Sequence, residues 1–308
     1  MKTLPLTLSL VGSAALMAQS SFGQLFTDNF DAGTSGSGWA AVLSHSDAAV
    51  NYAYDYSSIG VPSAPNSTGG TTIGMNFLAN QSAGVQQGIS ASPIGYSFTG
   101  NFRIRFDMWL NYVASGDGST QIGSFGWGTS GANAQWAGSS SSIMFGGSTD
   151  GGTSFDYRLY RNNALVTTTA SYAAASLNNS ATYYTTRYGG TAVPAAQEVA
   201  FPTQTGAVSP AGALGFAWHD VIIEKAGSIL TWSIDGSLIA TADATGAALS
   251  GNNIFFGIFD INNGSSTDLN DQLVTAIYDN VVVTTIPEPS SLALVGLSGL
   301  ALLARRRK

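Results

Sequence analysis

The side chains able to do acid–base or metal chemistry are few, and their spacing limits what they can do. The chain has no Cys, two His and only three Glu. Without Cys there is no thiol nucleophile, no thiolate metal site and no iron–sulfur ligation. His45 and His219 form no His-Glu-x-x-His pair, and no Gly-x-Ser-x-Gly elbow occurs, so zinc-dependent and serine-based hydrolysis lack their residues. Cleaving a glycosidic bond takes two carboxyl groups flanking it. Glu288 stands near the C-terminus, Glu198 is followed by Ala200 and Pro202, and Glu224 by Ala226 and Ser228, so no Glu is followed by acidic partners at those spacings. Asp pairs from separate strands remain open.

Two other groups have binding chemistry. Asp260, Asn262, Asp268 and Asp271 fall in an oxygen-rich stretch between two apolar runs. They could converge on Ca²⁺, which takes six to eight hard oxygens, or form a solvated turn whose Asn and Asp bond their own backbone. The acidic third and fifth positions and the final Glu of an EF-hand are missing. Tyr52, Tyr54 and Tyr56 recur at i, i+2 and i+4, one face of a strand, where aromatic rings could stack on sugars or pack inward. Trp109 stands on the polar side of its strand, as an exposed sugar platform or beneath the Leu165–Pro210 segment.

The elements that would carry these residues are strands. Phe102, Ile104, Phe106, Met108 and Leu110 alternate with Arg103, Arg105, Asp107 and Trp109, a period of two. Phe155–Tyr160 alternates likewise and ends at Asn162-Asn163. Trp218–Lys225 turns at Ala226-Gly227 into Leu230, Trp232 and Ile234, and Asp235-Gly236 turns the chain again into Leu238–Thr241. Ile254–Ile261 and Val274–Val283 complete the series. Many strands with Gly and Asn turns, and no helices between them, predict an all-β, two-sheet antiparallel sandwich. Leu165–Pro210, rich in Ala, Ser, Thr and Tyr, reads as a loop excursion within one domain spanning 24–285.

The run Trp218-His219-Asp220-Val221-Ile222-Ile223-Glu224-Lys225, with Thr231-Trp232-Ser233-Ile234-Asp235-Gly236, resembles the concanavalin A-like, laminin-G-like sandwich. Asp279-Asn280-Val281-Val282-Val283 is similar to the closing strand of that group. The resemblance implies a jelly-roll fold with glycan or protein binding, or glycan hydrolysis in some branches. Its laminarinase-type enzymes carry Glu-x-Asp-x-x-Glu on one strand, and this chain lacks that motif. The expectation is a non-enzymatic body, with His219 a structural member of its strand. A glycan-active enzyme built on Asp, or a purely structural adhesion protein, stays as the alternative.

Both ends read as processing segments. Met1-Lys2-Thr3, an apolar stretch from Leu4 to Met17, and Ser21 and Gly23 before Gln24 predict a signal peptide over 1–23, cut by signal peptidase. An N-terminal membrane anchor is the other reading. At the other end Pro287-Glu288-Pro289 precedes an apolar run from Leu292 to Ala304 and then Arg305-Arg306-Arg307-Lys308. This tail, 286–308, resembles the PEP-CTERM sorting signal of Gram-negative bacteria. The resemblance implies recognition by an exosortase, transient inner-membrane insertion as a transmembrane helix, cleavage near the triplet, and delivery to the cell surface or extracellular matrix. Extracellular polysaccharide is the expected partner. The net charge of −7 understates the body, because five of the eleven basic residues lie in the two end segments. So acidic a surface repels phosphate backbones and excludes nucleic acid as a partner.

Overall fold

A computed structural model describes residues 23–79, 81, 84–114, 120–262 and 271–286. The predicted signal peptide, except Gly23, and the sorting tail from Pro287 onward lie outside the described residues. Gln24–Ile286 forms one compact unit. In chain order its strands are β1 (Gln24–Asp28), β2 (Trp39–Leu43), β3 (Ala49–Asp55), β4 (Ile73–Leu78), β5 (Gln87–Pro93), β6 (Phe102–Asn111), β7 (Gln121–Thr129) and β8 (Ile143–Ser148). Then follow β9 (Tyr157–Arg161), β10 (Ala164–Leu165), β11 (Trp218–Ala226), β12 (Ile229–Ile234), β13 (Ser237–Asp243), β14 (Asn253–Asp260) and β15 (Thr275–Thr285).

These make the expected two-sheet antiparallel sandwich. One sheet runs β13-β12-β11-β6-β15-β4-β3, with β1 also paired to β15; the other runs β10-β9-β8-β7-β14-β5-β2. The alternation in β6 does what its period dictates. Phe102, Ile104, Phe106, Met108 and Leu110 all join the core between the sheets. Phe106 meets Phe125 and Phe256 edge-on, with centroids 5.0 and 4.8 Å away, a favoured aromatic geometry. The tight turns form where sequence chemistry allows positive φ: Asn162 and Asn163 take φ of 55° and 57°, and Asp235 takes 48°.

Two details depart from the sequence reading. The strand expected from Phe155 begins at Tyr157, leaving Phe155 exposed. The excursion is not free of helix: it holds α1 (Thr182–Thr185) and α2 (Ala195–Ala200). It is a packed cover. Tyr184 stacks on Tyr157 at 3.8 Å between centroids. The Tyr172 hydroxyl accepts from the Leu159 N–H and donates to the Val166 carbonyl, each at 2.9 Å. Asp156 accepts from Ser148 Oγ and the Asn179 N–H, tying the excursion to β8.

Removing the ring at the centre of this core should cost heavily. Phe106→Ala is expected to lower unfolding free energy by about 3–5 kcal/mol, measured by urea titration at constant m-value. A loss under 1 kcal/mol would mean that the sheets do not interlock around this ring.

Candidate functional site

The polar face of β6 gathers the acids that the sequence left scattered. Strand register sets Asp220 of β11 opposite Asp107, and Asp107 opposite Asp279 of β15. Three aspartates thus form a row across three neighbouring strands on the outer face of the larger sheet. Asp107 and Asp279 are both fully buried. A bulge helps to build the row. The β15–β6 register shifts between Asp279 and Val282, and Asn280 takes a φ of 54°. The phase of the strand changes there: Tyr278, Val281 and Val283 all reach the core. Asp279 and Asn280 together supply the outer face.

The connection from β3 to β4 closes over this row. Asp107 accepts from the Asn66 N–H at 3.1 Å, from Asn66 Nδ2 at 2.6 Å and from Asn280 Nδ2 at 2.9 Å. Asp279 accepts from Ser67 Oγ at 3.0 Å and from the Asn280 N–H at 2.7 Å. The Tyr56 hydroxyl lies 3.0 Å from Asp279 Oδ2 and 3.1 Å from the Thr71 carbonyl, and it accepts from the Ala64 N–H. Asp220, nearer solvent, is held by Arg105 through Nε at 2.7 Å and Nη2 at 3.1 Å. Around Asp107 and Asp279 the face is a sealed polar seam, with the buried carboxylate oxygens already bonded.

Burial pushes the Asp279 carboxyl up from 3.8 to about 7, against the lowering effect of its hydrogen bonds. Burial also raises Asp107, again against hydrogen bonds from Asn280 and Asn66. The geometry suits a protonated Asp279. One Tyr56 proton cannot serve both Thr71 and Asp279. A proton on Asp279 lets it donate to the tyrosine oxygen while the tyrosine donates to Thr71.

The aromatic residues singled out in sequence do not form one sugar-stacking face. The β3–β4 register shifts between Asn51 and Tyr54. Tyr52, half-buried, therefore packs on the main core, whereas Tyr54 packs on a separate outer cluster. Tyr56 lies past the strand in a 3₁₀ turn and is fully buried. Trp109 is buried as well, so neither Tyr56 nor Trp109 offers a ring face to a sugar. Trp109 lies under the excursion, clustered with Val193, Phe216, Leu273 and Ile277. Its indole N–H donates to Asn111 Oδ1 at 3.1 Å, and so does Gln197 of α2. Gly60 lets α2 come so close, since a Cβ there would fall 2.2 Å from the Gln197 nitrogen.

Of the calcium candidates, Asp260 is buried and accepts from Gln121 Nε2 at 3.1 Å and from the Asn262 N–H at 2.7 Å. Asn262 donates its amide to Thr120 Oγ1 at 3.0 Å. Asp268 and the side chain of Asp271 lie outside the described residues. Among the described residues no group of three or more His, Asp or Glu could hold a metal ion. His219 is buried between the Asp235 carboxylate, 2.7 Å from Nδ1, and the Leu214 carbonyl, 3.1 Å from Nε2, a structural setting.

The sequence reading missed Asp107, Asp279, Asn280, Asn66 and Ser67 as a group. The signal for Asp107 was its place on the polar side of the β6 alternation. Asp279-Asn280 interrupts an otherwise apolar strand.

Comparison with known proteins separates the tail from the body. Residues 285–308 match the PEP-CTERM protein-sorting motif. The motif implies export and recognition by an exosortase. No curated protein matches the chain. The body is similar in fold to a Bacillus subtilis protein of unknown function with a galectin-like fold, at 8% identity and a TM-score of 0.43, covering 86% of this chain and 98% of that one. It is also similar to the carbohydrate recognition domain of Emp46p, at 10% identity and a TM-score of 0.41, covering 85% and 97%. A Bacillus licheniformis β-glucanase aligns at 12% identity and a TM-score of 0.40, covering 87% and 100%. Among the described residues no helix is long and apolar enough to cross a membrane.

The sealed acid pair gives the fold a pH dependence of definite sign. Because the Asp279 carboxyl is raised to about 7, the folded state keeps a proton that the unfolded chain releases near pH 4. Stability should therefore fall as pH rises from 5 to 7, by up to about 1.4 kcal/mol per unit from this group, and level off above. Asp279→Asn should flatten that slope in urea titrations run from pH 5 to 8. An unchanged slope would place the titrating group elsewhere.

Proposed function

We propose that this chain is exported, processed at its C-terminal motif by an exosortase, and left at the cell surface or in the extracellular matrix. There its sandwich acts as a non-enzymatic body that associates with extracellular polysaccharide. The observation that carries this reading is the sorting motif over 285–308. The apolar run from Leu292 to Ala304, followed by four cations, reaches about 20 Å as a helix against a hydrocarbon core of about 30 Å. Such a stretch holds a chain in the membrane marginally, with its cations on the cytoplasmic side. That suits a stop that is later cut.

The non-enzymatic part draws support from the sealed seam. A glycosidase needs an acid and a nucleophile open to one bond. Asp107 and Asp279 are neighbours across strands, but their oxygens are taken by Asn66, Ser67, Asn280 and Tyr56. The acidic composition, with 18 acidic against 11 basic residues, favours neutral glycans over phosphate-bearing polymers.

The purified chain should co-sediment with the extracellular polysaccharide of its own producer and release no new reducing ends from it. Reproducible oligosaccharide products would defeat the non-enzymatic reading. Complete failure to co-sediment would defeat the polysaccharide association.

A further inference from the structure

The two ends of the folded body leave it side by side. β1 runs antiparallel to β15, so Gln24 pairs with Thr284. Thr285 stands opposite Phe102, and the Ile286 N–H donates to the Asn101 carbonyl at 3.0 Å. Two more segments form the same end of the sandwich. One is the approach to β6, where Tyr96 packs on Phe26 and stacks on Phe98, which meets Phe102. The other is the β11–β12 hairpin, in which Lys225 pairs with Phe102 and Ala226 with Ile229.

This end carries four exposed large apolar side chains, beside the exposed Asp243 that pairs with Ile229. Leu25 is 39% exposed, Ile94 54%, Tyr96 43% and Ile229 39%. Tyr96 is fixed by its two ring contacts, edge-on to Phe26 at 4.8 Å and parallel to Phe98 at 5.8 Å. The nearby cationic groups are occupied. Lys225 donates to the Gly100 and Gly227 carbonyls, and Arg103 donates to Glu224.

What faces this end follows from chain length. Only residues 287–291 separate Ile286 from the apolar run that begins at Leu292. The six Cα–Cα steps from Ile286 to Leu292 reach at most about 22 Å when extended. While that run sits in a bilayer, the end of the body that carries Ile286 stays within this reach of the lipid surface. We infer that Leu25, Ile94, Tyr96 and Ile229 form a membrane-facing rim that rests in the interfacial region of the bilayer during the anchored stage. Tyr96 suits that depth, with an apolar ring and a polar hydroxyl. The rim would hold the cleavage segment against the membrane surface, and it rests on the sorting-tail reading above.

The absence of Cys makes the test clean. Ile94→Cys and Ile229→Cys place single labels on the rim. Val199→Cys places a control on α2, whose Gln197 contacts Asn111 at the far end of β6. The chain from Gln24 to Lys308, which holds the whole folded body, is labelled with an environment-sensitive fluorophore and reconstituted into phosphatidylcholine–phosphatidylglycerol vesicles carrying brominated acyl chains. The expected result is flotation with the vesicles and rim labels quenched about twofold or more beyond the Val199 label. Flotation with rim labels quenched no more than the control overturns the rim and leaves the sorting reading standing. Failure to float overturns both. Rim labels shielded from a water-soluble quencher yet untouched by brominated lipid would assign the surface to a second copy or another protein, and would also overturn the proposal.

Discussion

Strand β6 lies in the middle of the larger sheet, and from Phe106 to Asn111 water reaches neither of its faces. A strand in that position must satisfy two different environments at once. Its inner face supplies the apolar rows that interlock with the second sheet. Its outer face carries Asp107 and Trp109, which cannot stay buried without partners of their own. Much of the less regular structure answers that second demand. The β3–β4 connection supplies Asn66, Ser67 and Tyr56 to the acids. The excursion supplies Gln197 and Val193 around Trp109 and Asn111. Both are covers shaped by what the strand leaves exposed beneath them.

The cover also sets the chemistry of the face. A carboxyl group shut away from water cannot carry charge cheaply, and a second one on the neighbouring strand adds a smaller penalty. Asp279 responds by holding its proton to about 7. In an open cleft such a group would be a candidate acid catalyst. Here the same perturbation comes from burial under a loop whose donors already fill the carboxylates. The seam therefore has a structural meaning first: it fixes the loop to the sheet, more firmly in mild acid than in mild base.

The sandwich itself was readable from periodicity. The inward row of β6, the hairpin through Asp235-Gly236 and the Asn162-Asn163 turn follow from local rules of pleat and positive φ, and these do not depend on distant partners. What escaped depended on single-residue irregularities. The bulge between Asn51 and Tyr54 sends Tyr52 and Tyr54 to different clusters, so an apparent row of three tyrosines dissolves. The bulge after Asp279 puts two polar residues on one face. The first leaves the alternation of tyrosines intact, and the second is marked in sequence only by Asp279-Asn280 interrupting an apolar strand. The burial of Trp109 likewise depends on where a segment some ninety residues later comes to lie. The row of acids was invisible for the same reason, because it is made by pairing three strands that are far apart in sequence.

The ends of the chain add the biological frame. A sorting motif over 285–308 follows directly on a body whose first and last strands are paired, so whatever holds the tail holds one end of the sandwich. The proposed cleavage makes this tail a transient device, removed once the body is across the membrane. The most direct measurement is the intact mass of the protein recovered from the surface or extracellular fraction of the producing cell. The expected mass corresponds to a chain that ends near Pro287-Glu288-Pro289 and lacks Arg305 to Lys308. A recovered protein that retains Arg305, Arg306, Arg307 and Lys308 would contradict it.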